Sequence, residues 1–254
     1  MSAAPQHANK PVRHHRLAAR FRLGIHLGSF RFSAIHLLVA LVILLISSPL
    51  LEKLQHGDLI ETILLTIVLV SSVLAVGGNR RSVLLMSLLA LPALFLKWFS
   101  QLRPDLISTS WFFAAAMFFC AFIVWRLLRF VLHCDRVNNE VLAASLTAYL
   151  MLGLVFAFAY MLAAQQNPRS FVFTTPGFTD EEMRGHNAIY FSYVTLSTVG
   201  YGDIVPVSPT VRTLAMSEAI TGLLYIAVLV ARLVALQTSS PPPPTVRDVD
   251  RDET

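Results

Sequence analysis

Six stretches of this chain carry almost no charge, and nothing else in the sequence narrows the possible folds so far. They cover residues 33–51, 59–76, 82–96, 107–128, 141–164 and 211–236. A helix needs about 20 residues, at about 1.5 Å of rise each, to cross a hydrocarbon layer about 30 Å thick. The first, second and fourth runs reach that length with ease. The third is short and carries Pro92, which predicts a kinked or less tilted helix. The fifth and sixth read as two further spans. With 55% apolar and 14% charged residues, the core is expected to lie in lipid rather than in a water-surrounded globule.

The loops set an orientation. Lys10, Arg13, Arg16, Arg20, Arg22 and Arg31 have no acidic partner within residues 1–32. That tail, Arg80 with Arg81, and Arg129 with Arg136 fall on one side. Glu52, Lys53 and Asp58, then Arg103 and Asp105, then residues 165–187 fall on the other. Positive charge gathers on the cytoplasmic side of membrane proteins, so both termini are expected there. A short amphipathic helix lying on anionic lipid over residues 13–30 is a second reading of the tail. The same rule explains the net charge of +5 without nucleic acid. Cys120 and Cys134 show no metal-ligand or disulfide-scaffold spacing. The first apolar run has full spanning length, so no cleavable leader is expected.

Between the last two spans lies Thr195-Leu196-Ser197-Thr198-Val199-Gly200-Tyr201-Gly202-Asp203. Gly200 and Gly202 permit backbone angles that a Cβ forbids, so successive carbonyls can point the same way. Val199 and Tyr201 are then expected to point away and pack the strand from behind, while Thr198 adds a hydroxyl at the inner end. A short aromatic-rich helix is expected before it, over residues 187–197. Asp203, Pro206 and a long apolar helix with Gly222 follow.

On these residues, and over residues 143–236, the chain resembles the potassium-channel pore superfamily. Its whole plan resembles the bacterial six-transmembrane, one-pore potassium channels. The resemblance implies an all-α membrane protein with six transmembrane helices, a re-entrant pore helix and a selectivity filter of Thr198, Val199, Gly200, Tyr201 and Gly202. It implies a homotetramer in the cytoplasmic (inner) membrane. Backbone carbonyls of Thr198, Val199, Gly200 and Tyr201 from four chains would replace the water around K+. It divides the chain into a basic tail (1–32), a four-helix sensor-like domain (33–136), a pore domain (137–236) and a proline-rich tail (237–254).

The resemblance also assigns supporting residues. Tyr190, Phe191 and Tyr193 would form an aromatic cuff that holds the filter's width, though ordinary apolar packing uses the same contacts. Asp203 would hydrogen-bond behind the strand to a pore-helix aromatic. The plainer reading is an exposed acid that attracts cations. Gly222 takes the place of an inner-helix hinge. Val194 stands where some family members have a buried acid, which leaves the filter's inactivation behaviour open. The carboxyl end of the pore helix would offer about half a negative charge to a cation.

Glu218 is ionisable within an apolar helix, and such groups face a cavity or a partner. Two readings stay open: it braces the filter from behind, or it faces the cavity and concentrates potassium. Arg232, nearer the cytoplasmic end, is expected to snorkel to the interface. In the fourth run only Arg126 and Arg129 keep the three-residue spacing of a voltage sensor, and 111–125 has no arginine. Each charge crossing 100 mV is worth about 2.3 kcal/mol, so weak or absent voltage dependence is expected. Residues 179–182 have capping-box spacing and predict a short helix ending at Gly185. Their acids would raise the cation concentration at the outer mouth. The run Pro241 to Pro244 reads as a linker end or as bait for a proline-binding partner.

No catalytic constellation appears, so neither an enzyme nor a cofactor is expected. The lipid bilayer and three sister chains are the expected partners. The rival functions are a less selective cation channel and a ligand-sensing membrane protein with a vestigial pore.

Overall fold

The computed structural model describes residues 33–51, 57–76, 80–102, 109–134, 138–174 and 183–238. The basic tail, the capping-box segment 179–182 and the proline run lie outside these residues. Among the described residues seven α-helices dominate: α1 (Ser33–Leu51), α2 (Gly57–Val76), α3 (Arg80–Leu102), α4 (Thr109–His133), α5 (Asn139–Gln166), α6 (Gly185–Leu196) and α7 (Pro209–Thr238). Two short strands, β1 (Phe171–Phe173) and β2 (Ile204–Pro206), complete the order. The protein is an all-α membrane protein apart from that pair. By length and composition α4, α5 and α7 can each cross a membrane, and α1 to α3 carry the shorter apolar segments Ala34–Leu50, Leu59–Ala75 and Val83–Phe99.

α3 departs from its expected outline. It runs 23 residues, straight through Pro92, where the apolar run alone predicts a short segment. Its last turns contain Lys97, Ser100 and Gln101, which a search for apolar residues passes over. Lys97 lies with its Nζ 5.2 Å from the Phe112 ring centroid, so its charge rests on an aromatic face.

α5 is the central helix. Asn138 starts it from an extended conformation, its side chain accepting from Val141 N at 2.9 Å. Such a cap satisfies one of the first orphan N–H groups. Pro168 follows its end, and Asn167 then caps the 3₁₀ turn Pro168–Ser170. α4 lays one stripe on α5: Phe112, Ala116, Phe119, Cys120, Ile123, Leu127 and Val131 are buried at helical spacing. Phe158 of α5 meets Phe112 and Phe113 at 6.0 and 6.2 Å between ring centroids. Because α4 ends at His133 and α5 begins at Asn139, the chain doubles straight back, and α4 rests on its own α5.

α1 reaches the same helix, with the Thr147 hydroxyl 3.3 Å from the Ala34 carbonyl. α7 is tied to α5 by Tyr225, which donates to the Ser145 carbonyl at 2.6 Å. Near its far end Arg232 donates from Nη2 to the Cys134 carbonyl at 2.9 Å. The guanidinium thus reaches the end of α4. Most of α7 is otherwise uncovered, with Met216, Ile220, Leu223, Leu224, Val228 and Val230 all exposed.

Candidate functional site

The residues after α6 fold back on the helix they leave. Ser197 N donates to Tyr193 O at 3.0 Å and Thr198 N to Thr195 O at 2.9 Å. The Val194 carbonyl takes both Val199 N at 3.0 Å and Gly200 N at 3.3 Å. The last carbonyls of a helix lack partners within it, and here the loop's own N–H groups supply them. The loop's donors therefore point back to α6. Among the described residues, the carbonyls of Thr198, Val199, Gly200 and Tyr201 accept no hydrogen bond.

Backbone handedness alternates along the loop. Thr198, Gly200 and Gly202 have φ of +60°, +55° and +79°, with Val199 and Tyr201 between them outside that region. An added Cβ on Gly200 or Gly202 would touch nothing within 4 Å, so glycine is needed for its angle and not for space. Thr198 takes the same region with a side chain, at about 1–2 kcal/mol. Alternation of this kind allows successive carbonyls to face one side. Val199 and Tyr201 are 53% and 71% exposed. Within one chain, then, most of both side chains is uncovered.

The outer end of the loop is fastened from two directions. Tyr190 donates to Asp203 Oδ2 at 2.6 Å, and Ile204 N donates to Asp203 Oδ1 at 3.1 Å. Thr174 donates from its N to the Asp203 carbonyl at 2.8 Å, and its hydroxyl lies 3.0 Å from the Gly202 carbonyl. β1 and β2 pair antiparallel, Phe171 opposite Pro206 and Phe173 opposite Ile204. The segment leaving α5 is thus stitched to the one entering α7, with α6 and the loop held between.

Behind α6 lies an aromatic nest. Phe191 is buried, edge-on to Tyr160 at 4.9 Å and to Phe171 at 5.4 Å. Tyr193 donates to the Leu150 carbonyl at 2.5 Å, and its ring fills the space a side chain at Gly153 would need, 2.6 Å from a Cβ built there. Glu218 is 0% exposed. Its Oε2 accepts from Tyr160 at 2.5 Å and its Oε1 lies 2.5 Å from Ser192 Oγ. Glu218 thus meets α5 and α6 together. A Cβ on Gly222 would run into the Leu196 carbonyl oxygen, so α7 crosses the foot of α6 at backbone contact.

The structure therefore brings together Tyr190 with Asp203, Glu218 with the back of α6, and Gly222 with its last residue. Ser192, Tyr160, Thr174 and Gly153 enter the site without having been singled out in the sequence. Ser192 and Gly153 carried a signal, as a polar and a small residue within apolar helices. Tyr160 and Thr174 carried none, since only the register between helices assigns them.

Residues 144–238 match the model of the ion channel family. An inward rectifier potassium channel, Kirbac3.1 of Paramagnetospirillum magnetotacticum, is 36% identical over 90 residues, 34% of this chain and 26% of that protein. The voltage-gated potassium channel Kch of Escherichia coli is 37% identical over 76 residues, 30% of this chain and 18% of that protein. Protein LctB of Bacillus caldotenax is 34% identical over 88 residues, 34% of this chain and 64% of its own length. The chain thus spans about a quarter or less of the first two and under two thirds of the third. No solved structure matches.

Proposed function

We propose, from the match of residues 144–238 to the ion channel family, that the protein is a potassium-selective channel that conducts K+ passively as a homotetramer. One observation carries the reading. Among the described residues the carbonyls of Thr198 to Tyr201 accept no hydrogen bond, on an exposed loop where the sign of φ alternates from Thr198 to Gly202. A single chain offers one such row. Four rows around a shared axis make stacked rings of oxygens that stand in for a dehydrated ion's water. Closed rotational assembly of identical chains gives each row the same neighbours. It also gives Val199, Tyr201 and the bare face of α7 something to pack against.

Within this reading Thr198, Val199, Gly200, Tyr201 and Gly202 are the filter. Tyr190, Phe191, Asp203 and Glu218 hold it in place. Gly222 sets the approach of α7, and the hinge role drawn from the resemblance is added to that contact. The division into residues 1–32, 33–136, 137–236 and 237–254 belongs to the same proposal, as do a cytoplasmic-membrane location and both termini on the cytoplasmic side. Ions would move through the rings by mutual repulsion, with no covalent step. Voltage dependence would be weak, because the two spaced arginines sit in the second half of α4.

The test is flux through purified protein in liposomes, with a potassium gradient against a sodium gradient and barium as the blocker. Potassium flux that barium stops, with little sodium flux, is the expected result. Equal fluxes of both ions would establish the less selective cation channel instead, and no flux of either would overturn the channel reading.

A further inference from the structure

Three oxygen–oxygen contacts meet behind α6. Tyr160 Oη stands 2.5 Å from Glu218 Oε2, Ser192 Oγ stands 2.5 Å from Glu218 Oε1, and Ser192 Oγ stands 2.6 Å from the Gly153 carbonyl oxygen. All three lie at the short end of the O–H···O range of about 2.5–3.0 Å. At that separation each contact needs a hydrogen between its oxygens, since otherwise two lone pairs face one another.

The hydrogens can be counted. A tyrosine or serine hydroxyl brings one each, and a backbone carbonyl brings none. The Tyr160 hydrogen closes the contact to Oε2. The Ser192 hydrogen can close one of that residue's two contacts but not both at these lengths. The remaining hydrogen can come only from the carboxyl group.

We infer that Glu218 is a neutral carboxylic acid and a positioning residue: its Oε1–H donates to Ser192 Oγ, Ser192 donates to the Gly153 carbonyl, and Tyr160 donates to Oε2. Hydrogen bonds then run in one direction from α7 through α6 to α5. The surroundings agree with the count. The titratable groups facing Glu218 are the phenols of Tyr149 and Tyr160 on α5 and of Tyr193 on α6. Among the described residues its hydrogen-bond partners include no cation. A buried carboxylate without a cation is costly, whereas a buried acid with every contact closed is not. Removing the proton forces Ser192 to give up either Gly153 or Glu218, so one of the two helix-to-helix links opens. That this matters for conduction rests on the reading of residues 198–202 as the filter; the proton assignment itself does not.

Glutamine has the hydrogens that this arrangement requires. Its amide N–H can donate to Ser192 Oγ while its oxygen accepts from Tyr160. Leucine has neither, and it leaves buried hydroxyls unpaired at a cost that corresponds to roughly a tenfold to hundredfold loss of the conducting form. The experiment compares the full-length wild type with Glu218→Gln and Glu218→Leu in liposomes, by infrared difference spectroscopy and by potassium flux.

Wild type minus Glu218→Gln at neutral pH should contain the carbonyl band of one protonated carboxyl group, lost reversibly as pH is raised. Flux should be kept in the glutamine variant, lost in the leucine variant, and fall at alkaline pH in the wild type only. A difference spectrum holding only carboxylate bands at neutral pH overturns the inference. So does a folded glutamine variant that loses as much flux as the leucine variant. A wild type with the acid band but no flux would sink the channel reading and leave the proton where it is placed here.

Discussion

Gly222→Ala tests how α7 meets the foot of the filter loop. The new Cβ would collide with the Leu196 carbonyl oxygen and lie 2.9 Å from Leu196 Cδ1 and 3.1 Å from the Leu196 carbonyl carbon. Both carbon distances are well inside the optimum of about 3.5–4.0 Å. Leu196 is 0% exposed and is the last residue of α6, so the obstacle is backbone that cannot swing aside. Overpacking costs about 1–3 kcal/mol, and a collision with fixed backbone belongs to the upper part of that range, about 2–3 kcal/mol. Alanine inside a helix is worth about 1 kcal/mol more than glycine, which offsets part of it. A net loss of about 1–2 kcal/mol follows, opposite in sign to what helix propensity alone would give. Each kcal/mol moves the midpoint of a domain this size by roughly 2–4 °C, so the purified protein should unfold about 2–8 °C lower. Potassium flux should fall with it, since relief of the clash displaces Leu196 and the Ser197–Thr198 turn. A Gly222→Ala protein that unfolds at or above the wild-type temperature with unchanged flux would refute the close-approach reasoning. A glycine that served only as a hinge would give higher stability with altered opening.

Two further outcomes are expected. Tyr190→Phe removes the donor to Asp203 Oδ2 while leaving Ile204 N on Oδ1; a hydrogen bond to a charged group is worth about 1.5–3 kcal/mol. The ratio of potassium to sodium flux should therefore drop, and an unchanged ratio would remove Tyr190 from the filter's support. Arg126→Gln combined with Arg129→Gln should leave the slope of the conductance–voltage relation in planar bilayers unchanged. Arg129 already rests on the Trp125 ring, 5.8 Å from its centroid, and a flattened slope would show that these charges move through the field.

Local chemistry made most of the helices legible. The first apolar run and α1 share the same bounds, Ser33–Leu51, because lipid-facing and core-facing residues are both apolar there and the run stops where the charges begin. α3 was underestimated because its last turns are polar, and polarity at a membrane edge resembles a loop. Thr198 was expected to add a hydroxyl; its left-handed backbone was not foreseen, since the residue type argues against it. The β1–β2 pair escaped notice because Phe171 and Pro206 are far apart in the chain and each strand is only three residues long. Glu218 was conspicuous as a lone acid, yet its partners lie 26 and 58 residues away. Nothing short of the packed helices can choose between bracing and cavity for such a group. The placement of Gly222 against a carbonyl is likewise a fact of helix crossing, invisible in a list of residue types.

The direct turn from α4 into α5 has a mechanical meaning. With only residues 134–138 between the two helices, there is no long arm that could reach across to a neighbouring subunit and lever its pore. A tilt or slide of the first four helices is felt sideways, through the face that Phe112, Phe119, Ile123 and Leu127 press on their own α5 and through the contact of Ala34 with Thr147. In the four-chain ring proposed above, whatever stimulus these helices detect would then act on one quarter at a time, and cooperation among the quarters would have to arise at the axis.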